Sequence, residues 1–471
     1  MSTTVLPGHT LNVSAGQTSS GVIVDSGGTL NVLSGGTVIS TIDSGFVNVS
    51  SGGKAVDTKV ASGGTESVFS GGKAISATIS SGGFDIVSSG GVDSATTVQS
   101  GAIQQIFSRG TAKGAIVFGG PLQAQQVFAG GTALNTTLHA DRRLDGFASV
   151  TSIVGVVEDV VEAGGTSVLT KVLSGGIQDI FLGTAINTTV SSGGHQDVTG
   201  GFTSITMVSS GGEQEVFSGG TARTTTIGGG GVQVIESSGI ASATTLGSSA
   251  VSEVRSHGTA IATTIGAGGT QSVQSGGTTS AATISSGGTL IVDSGGLADP
   301  TTILGHGIEI IHSGGVDSGA LIKGGTQFDS GLANSGTLFA GSQVVQSGGT
   351  ANAWIVSGGT EIVGSGGEAV GVLIKHGGKQ IVSGGSTFFV AVSSGGEQDV
   401  GPGGTAETLT IAGIGKVFGG GIVSGGGIFG GASAISGGTE IVGSGGTTSL
   451  FAVVPAARRS SIPPAVPSAR S

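Results

Sequence analysis

The sequence predicts an all-β chain, a right-handed parallel β-helix (β-solenoid) with about 19 residues per turn. Three observations predict it: a Gly-rich triplet that recurs about every 19 residues, an aliphatic column with the same period, and alternation of apolar and polar residues between the glycines. Each Gly inside a regular element costs roughly 0.5–1 kcal/mol relative to Ala. The 98 glycines are therefore expected mainly at corners.

The repeat is clearest between residues 210 and 323, where triplets of the SGG type form two series. The first series begins at Ser210, Gly229, Ser248, Ala267, Ser286 and Gly305, and the second at Ser218, Ser237, Ser256, Ser275, Ser294 and Ser313. Both series advance by a constant increment of 19 in residue number, and the second follows the first by 8. One turn is therefore expected to have two arms, of 8 and 11 residues.

Two columns of branched aliphatic residues form the predicted core. The short arms contribute Val216, Ile235, Val254, Val273, Val292 and Ile311, and the long arms contribute Ile227, Leu246, Ile265, Ile284, Ile303 and Ile322. Successive side chains of a strand point to opposite faces, so these columns face inward and their neighbours face solvent. Each buried aliphatic side chain is worth roughly 1.5–3 kcal/mol, and stacked coils share this burial because a lone turn has too little apolar area.

Changes in the repeat predict a division of the chain. We expect a degenerate N-terminal cap over 1–45, regular solenoid over 46–120, irregular repeats or a side loop over 121–170, regular solenoid over 171–323, partly degenerate solenoid over 324–451, and a disordered Pro/Arg-rich tail over 452–471. Pro121 interrupts the phase, and the densest charge cluster follows at residues 139–146. For this segment a decayed repeat is favoured over a ligand-binding side loop.

Composition excludes several kinds of function. The chain has no Cys, which removes disulfides and thiolate metal sites. Its net charge of −11 argues against nucleic-acid binding, which needs a concentrated basic face. The N-terminus lacks the pattern of a standard signal peptide. No apolar run approaches the length of roughly 18 residues that crosses a bilayer, so no membrane-spanning segment is predicted.

The sequence predicts no catalytic, cofactor-binding or metal-binding residues. The seven histidines stand singly, without metal-ligand spacing. Acidic residues such as Glu236 and Glu253 are expected to lack basic neighbours. The one tight acidic group, Glu158, Asp159 and Glu162, is likewise expected to have no nearby Arg, Lys or His, and is interpreted as a solvated turn.

Two stretches of the repeat resemble a known family. Residues 51–69, SGGKAVDTKVASGGTESVF, and residues 256–274, SHGTAIATTIGAGGTQSVQ, are similar to the SGGxAxxTxIxxGGxxxV units of AIDA-type autotransporter adhesins. The resemblance implies a β-helical passenger displayed on, or released from, a Gram-negative cell. It further implies adherence, autoaggregation and biofilm formation, with a host or neighbouring cell surface, glycans or a second copy as the partner.

The resemblance also implies a modification. In some members of the family, repeat serines are O-heptosylated by a dedicated glycosyltransferase. The serines here that match the SGG corner are Ser62, Ser70, Ser210, Ser218, Ser275, Ser286, Ser294 and Ser313. The alternative for each is that its hydroxyl hydrogen-bonds the tight corner beside Gly.

Three functional hypotheses follow. The first is a non-enzymatic, surface-exposed or secreted adhesin-like solenoid that acts through many shallow contacts. The second is a passive spacer that presents a domain outside this chain. The third is a carbohydrate-active enzyme with its site in the irregular segment 121–170, where Asp141 and Glu158 are the candidate carboxylates.

Overall fold

A computed structural model describes residues 3–119, 123–428, 439–449, 452–453 and 458–461. These residues form β-strands and turns, without a helix, and the strands pair in parallel. The chain divides into two compact units, residues 1–234 with 238–241 and residues 235–237 with 242–471. Each unit is a parallel β-solenoid, and the predicted fold class is confirmed.

Most coils contain three short strands rather than two, and in some coils the third strand continues into the next first strand, as in Leu321–Asp329. In one coil of the first unit these are Thr65–Val68, Lys73–Ile75 and Thr78–Ile79, and the next coil begins with Phe84–Val87. The first strands of neighbouring coils pair in register exactly one repeat apart, for example Thr65 with Phe84. The longer arm of the sequence analysis is thus two strands, separated by a bend at Ser76, where φ is +57°.

The first strands of successive coils stack into a continuous parallel face in each unit. In the first unit they are Thr10–Val13, Thr29–Val32, Phe46–Val49, Thr65–Val68, Phe84–Val87, Ile103–Ile106, Gln125–Val127, Arg142–Leu144, Val157–Val161, Gly176–Phe181, His195–Thr199 and Glu213–Val216. In the second unit they are Val251–Val254, Thr270–Val273, Thr289–Val292, Ile308–Ile311, Leu321–Asp329, Thr337–Val345, Thr360–Val363, Lys379–Val382, Glu397–Val400, Ile414–Val417 and Thr439–Val442. We call this surface the first face.

The SGG corner needs both of its glycines, for different reasons. Gly71 has a φ of +74°, a conformation that costs a residue with a Cβ atom about 1–2 kcal/mol. A Cβ on the next residue, Gly72, would lie 2.3 Å from the carbonyl oxygen of Val49 in the coil below. The recurrence of the triplet therefore follows from turn geometry at one position and from close coil stacking at the other.

The structure places all twelve predicted core residues in the interior with no exposed surface. Val254, Val273 and Val292 pair in register, one over another, in the second unit. Leu246, Ile265 and Ile284 do the same on the third strands. Equivalent side chains of neighbouring coils are thus directly stacked.

Residues 123–170 contribute coils that remain paired in parallel with those before and after them. Gln104 pairs with Gln125, Gln125 with Arg142, Arg142 with Asp159, and Asp159 with Gln178, so the coil lengthens, then shortens twice, and then returns to the regular repeat. Pro121 lies outside the described residues. Within the predicted tail, the described strands are Ala452–Val453 and Arg458–Ser461, and the latter pairs with Thr439–Val442.

Replacing a bend alanine by glycine is expected to stabilise the second unit. Ala262 has a φ of +55° and is exposed, so Ala262→Gly removes backbone strain and should raise the free energy of unfolding by about 0.5–1 kcal/mol. Ala260, two residues earlier in a strand, is buried, and Ala260→Gly should lower it by about 1 kcal/mol. Urea unfolding followed by circular dichroism measures both. A lower midpoint for both variants would contradict the assignment of strain to the bend.

Candidate functional site

The serines proposed from the family resemblance all lie at exposed corners. Ser62, Ser70, Ser210, Ser218, Ser275, Ser286, Ser294 and Ser313 are exposed. None of their hydroxyls hydrogen-bonds another described residue, so the corner-stabilising alternative has no contact to support it within that part of the chain. The hydroxyl oxygen of Ser62 points toward the next coil, where a Cβ on Gly82 would lie 2.7 Å from it. These serines therefore lie on the solvent-exposed surface.

An interior column of polar side chains escaped the sequence analysis. Gln178, Gln196, Gln214 and Gln233 are fully buried in the first unit, two residues before the aliphatic column. The side-chain amides of Gln196, Gln214 and Gln233 each donate to the carbonyl oxygen of the Gln one coil below, at 2.9, 2.8 and 2.8 Å. A buried amide costs free energy unless it is hydrogen-bonded, and this ladder supplies the bonds. The recurrence of Gln at this one position was the available sequence signal.

In the first unit the same interior holds carboxyl groups. The side-chain amide of Gln104 donates to Asp85 at 2.8 Å and to Asp93 at 2.7 Å, and all three side chains are fully buried. Burial raises the pKa of Asp93 to about 6 and that of Asp85 well above its usual range. Burial, followed by repulsion from Asp93, raises the pKa of Glu66 to about 8. The pKa values of these carboxyl groups are raised because the interior solvates their charged form poorly.

The second unit repeats this arrangement. The Gln327 amide donates to Glu309 at 2.9 Å and to Asp317 at 2.8 Å. Burial raises the pKa of Glu309 to about 7 and that of Asp317 well above its usual range. Glu361 accepts from Gln380 at 2.8 Å, and burial raises its pKa to about 7. Carboxyl groups with raised pKa values thus take the place of amides in both interiors.

These buried carboxyl groups predict a protein that is more stable in mild acid. Their folded pKa values lie above the unfolded ones, so folding takes up protons between about pH 4 and pH 8. The free energy of unfolding should be highest near the lower limit and decrease as the pH rises through about 6 to 8. Each pKa unit is worth about 1.4 kcal/mol, so ionisation of Glu66 alone should account for a loss of several kcal/mol as the pH rises.

Urea unfolding at pH 5, 6, 7 and 8 tests this expectation. Glu66→Gln should flatten the pH profile, because the amide cannot ionise, while Glu368→Gln on the surface should leave it unchanged. A free energy of unfolding that increases with pH over this range would refute the assignment.

The expectation that the acidic group 158–162 lacks basic partners is wrong. Arg142 and Asp159 form a fully buried bidentate ion pair, with Nε–Oδ1 and Nη2–Oδ2 distances of 2.7 and 2.8 Å. Arg142 also donates to the Thr151 hydroxyl at 3.2 Å. On the surface, Arg143 donates to Glu162 at 3.1 Å. Each arginine is one full coil away from its acid in sequence, but coil stacking makes them neighbours.

The acids Glu236 and Glu253 were also expected to stand alone, and this too is wrong. Arg255 pairs with both of them, at 2.9 Å for Glu253. Glu236 lies one coil below Arg255. Glu253 lies two residues before Arg255, on the first strand Val251–Val254, and Arg255 directly follows that strand. At the surface such ion pairs contribute little to the free energy of unfolding, typically about 0–1 kcal/mol.

Removing the buried ion pair should be far more costly than removing the surface pair beside it. Asp159→Asn leaves the Arg142 guanidinium buried without a counter-charge, and should lower the free energy of unfolding by about 3–5 kcal/mol. Arg143→Gln, whose side chain is 43% exposed, should cost at most about 1 kcal/mol. Urea denaturation of the two variants makes the comparison. Equal losses would mean that Arg142 and Asp159 are hydrated in solution.

An apolar ladder lies on the solvent side of the first face in the second unit. It consists of Ile291, Ile310, Phe328, Val344, Ile362 and Ile381, one from each of six successive coils. All six are partly exposed. The column beside it is largely hydroxyl-bearing, with Thr289, Thr326 and Thr360 among its members. Contiguous apolar surface of this kind is typical of protein–protein contacts.

The histidines of the described segments do not assemble into a metal site. No group of three or more His, Asp or Glu side chains has metal-binding geometry there. His312 lies 2.8 Å from Asp293, and His195 lies 3.3 Å from Glu213, both on the surface. In the same residues no helix is long and apolar enough to cross a membrane.

Stacked coils, exposed corner hydroxyls and an outer face that repeats from coil to coil define a β-solenoid repeat protein. Its repeats are similar to those of AIDA-type autotransporter adhesins. The family described as "Adhesin of bacterial autotransporter system, probable stalk" matches residues 192–250. The recognition of the repeat from its sequence is thereby confirmed. No curated protein matches the chain.

Three solved structures with detectable similarity are distant from this chain. A crystal structure of a TibC-catalysed hyper-glycosylated TibA fragment is 23% identical, with a TM-score of 0.21, and the alignment covers 97% of this chain and 98% of that one. The circular LRR protein CroV588 is 8% identical, with a TM-score of 0.22 and coverage of 91% and 75%. The PL6 family alginate lyase AlyGC is 8% identical, with a TM-score of 0.18 and coverage of 98% and 95%. Because these TM-scores are low, the fold is assigned from the strand register described above and not from these structures.

Proposed function

We propose that this chain is a non-enzymatic adhesin-like passenger, displayed on a bacterial surface or secreted, that mediates adhesion, autoaggregation or biofilm contacts. The observation that carries the proposal is the apolar ladder on the first face of the second unit, flanked by hydroxyls. A row of equivalent residues binds through many weak contacts whose sum is strong, because each added contact acts at high effective concentration. A second copy, a host surface or a neighbouring cell surface is the partner.

The corner serines support a further part of the proposal. Ser70 and Ser218, like the other six candidates, present free hydroxyls on exposed turns. A glycosyltransferase that recognises the repeat would meet them at regular intervals along each unit. Sugars added there would surround the corners and leave the first face uncovered.

Cells that display residues 1–451 through a fused outer-membrane anchor test the adhesive function. We expect these cells to clump or to adhere to host cells, and we expect display of only a few coils to be inactive. Ile310→Thr with Ile362→Thr should abolish clumping, because these changes interrupt the ladder while retaining strand propensity. The control is Ile261→Thr with Leu297→Thr, two residues 40% and 36% exposed on second strands, which should clump as the unchanged protein does.

Two results would favour the alternative functions. If displayed cells neither clump nor adhere until a further domain is attached, the chain is a spacer. If the protein degrades a polysaccharide and loses this activity in Asp141→Asn or Glu158→Gln, it is an enzyme. Two contacts weigh against the latter: Asp141 already accepts a hydrogen bond from the backbone of Glu158 at 3.0 Å, and Asp159 is occupied by Arg142.

A further inference from the structure

A groove on the surface of the first unit contains two lysines. It is lined by Thr37, Lys54 and Lys73, which begin three stacked second strands and pair in register. Much of the remaining lining is corner backbone, including Gly52 and Gly71, which leaves the groove open. Its volume is about 380 Å³, within the range of small-ligand sites.

The two lysines carry like charge on adjacent strands. Neighbouring strands lie about 4.8 Å apart, and like charges directly opposite each other are destabilising. Lys54 and Lys73 are both exposed, and neither forms an ion pair within the described residues. In the second unit, by contrast, Lys379 pairs in register with Glu397, and the two form an ion pair at 3.2 Å. A bound anion would supply the counter-charge that the groove lacks.

Acids of the same coils place little negative charge at the surface, and none of them forms an ion pair with Lys54 or Lys73 within the described residues. The carboxyl groups of residues 3–119 are Asp25, Asp43, Asp57, Glu66, Asp85 and Asp93. Four of them are fully buried, and only Asp25 and Asp57 reach solvent. The basic residues of this segment are Lys54, Lys59, Lys73, Arg109 and Lys113. The outer surface of these coils is therefore basic, although the segment has more acids than bases in sequence.

We infer that this groove binds the anionic groups of an acidic polysaccharide, with Lys54 and Lys73 each contacting one sulfate or carboxylate. The Thr37 hydroxyl continues the row and can hydrogen-bond a sugar hydroxyl. A linear polymer laid across the coils would meet these three side chains in succession. The inference rests on the proposed adhesive function and gives it a ligand class.

Binding of polysaccharides to the purified full chain tests the inference by titration calorimetry. The probes are a heparin oligosaccharide, a hyaluronan oligosaccharide of equal length, neutral dextran and inorganic sulfate. We expect binding of one or both acidic oligosaccharides, weakened by added salt because the contacts are exposed, and no binding of dextran. Lys54→Gln with Lys73→Gln should lower the affinity at least about tenfold, which corresponds to about 1.4 kcal/mol.

The matched control is Lys171→Gln with Lys323→Gln, which removes the same charge from exposed lysines outside the groove and should leave the affinity unchanged. Equal affinity of the two double variants would overturn the inference, as would binding of dextran as tight as that of heparin. Binding of inorganic sulfate without either oligosaccharide, or a stronger groove-dependent affinity for duplex DNA, would also overturn it. A circular dichroism spectrum unchanged from that of the parent protein verifies that each variant folds.

These outcomes separate the inference from the proposed function. If displayed cells clump while the purified chain ignores acidic polysaccharides, only the ligand class is wrong. If the purified chain binds them through Lys54 and Lys73 while displayed cells neither clump nor adhere, the groove is real and the adhesive function is wrong.

Discussion

The structure depends on in-register stacking of equivalent residues in successive coils. A single coil, rich in glycine and serine and with only short strands, buries too little apolar surface to fold alone. Each coil therefore needs the equivalent residues of the coils above and below it. Stacking places equivalent residues of successive coils in one continuous column, as it does for Val254, Val273 and Val292. The same requirement acts on polar residues, because a buried Gln must satisfy its amide through other buried polar side chains, as Gln196 and Gln214 do through the Gln one coil away.

The buried ion pair is a local solution to that requirement. Arg142 and Asp159 occupy the column that holds Gln104 and Gln125 below them and Gln178 above. The two charged residues are satisfied by each other, at 2.7 and 2.8 Å, where two amides would otherwise form rungs of the ladder. In the segment with shortened coils, the interior column thus stays continuous because an ion pair replaces the hydrogen-bonded amides.

The period and the aliphatic columns were predictable from sequence because they depend on local alternation and on glycine placement. The third strand was not, because the bends at Ser76 and Ala262 adopt positive φ without glycine, and nothing in their side chains reveals it. Pairing of Arg142 with Asp159 was missed for another reason: the coil there is shorter, so the regular repeat step does not align them. Contacts between coils follow from register, and register can be read only where the repeat is regular.

Stacking also makes the net charge of the surface differ from the net charge of the sequence. In residues 3–119 the interior column accepts carboxyl groups, such as Glu66 and Asp85, because a protonated acid can replace an amide. Every acid taken inside leaves the outer surface more positive, and the lysines that remain outside are brought together by the same register. A chain that is strongly acidic overall therefore carries a basic groove, and the interior ladder is the cause of the surface property.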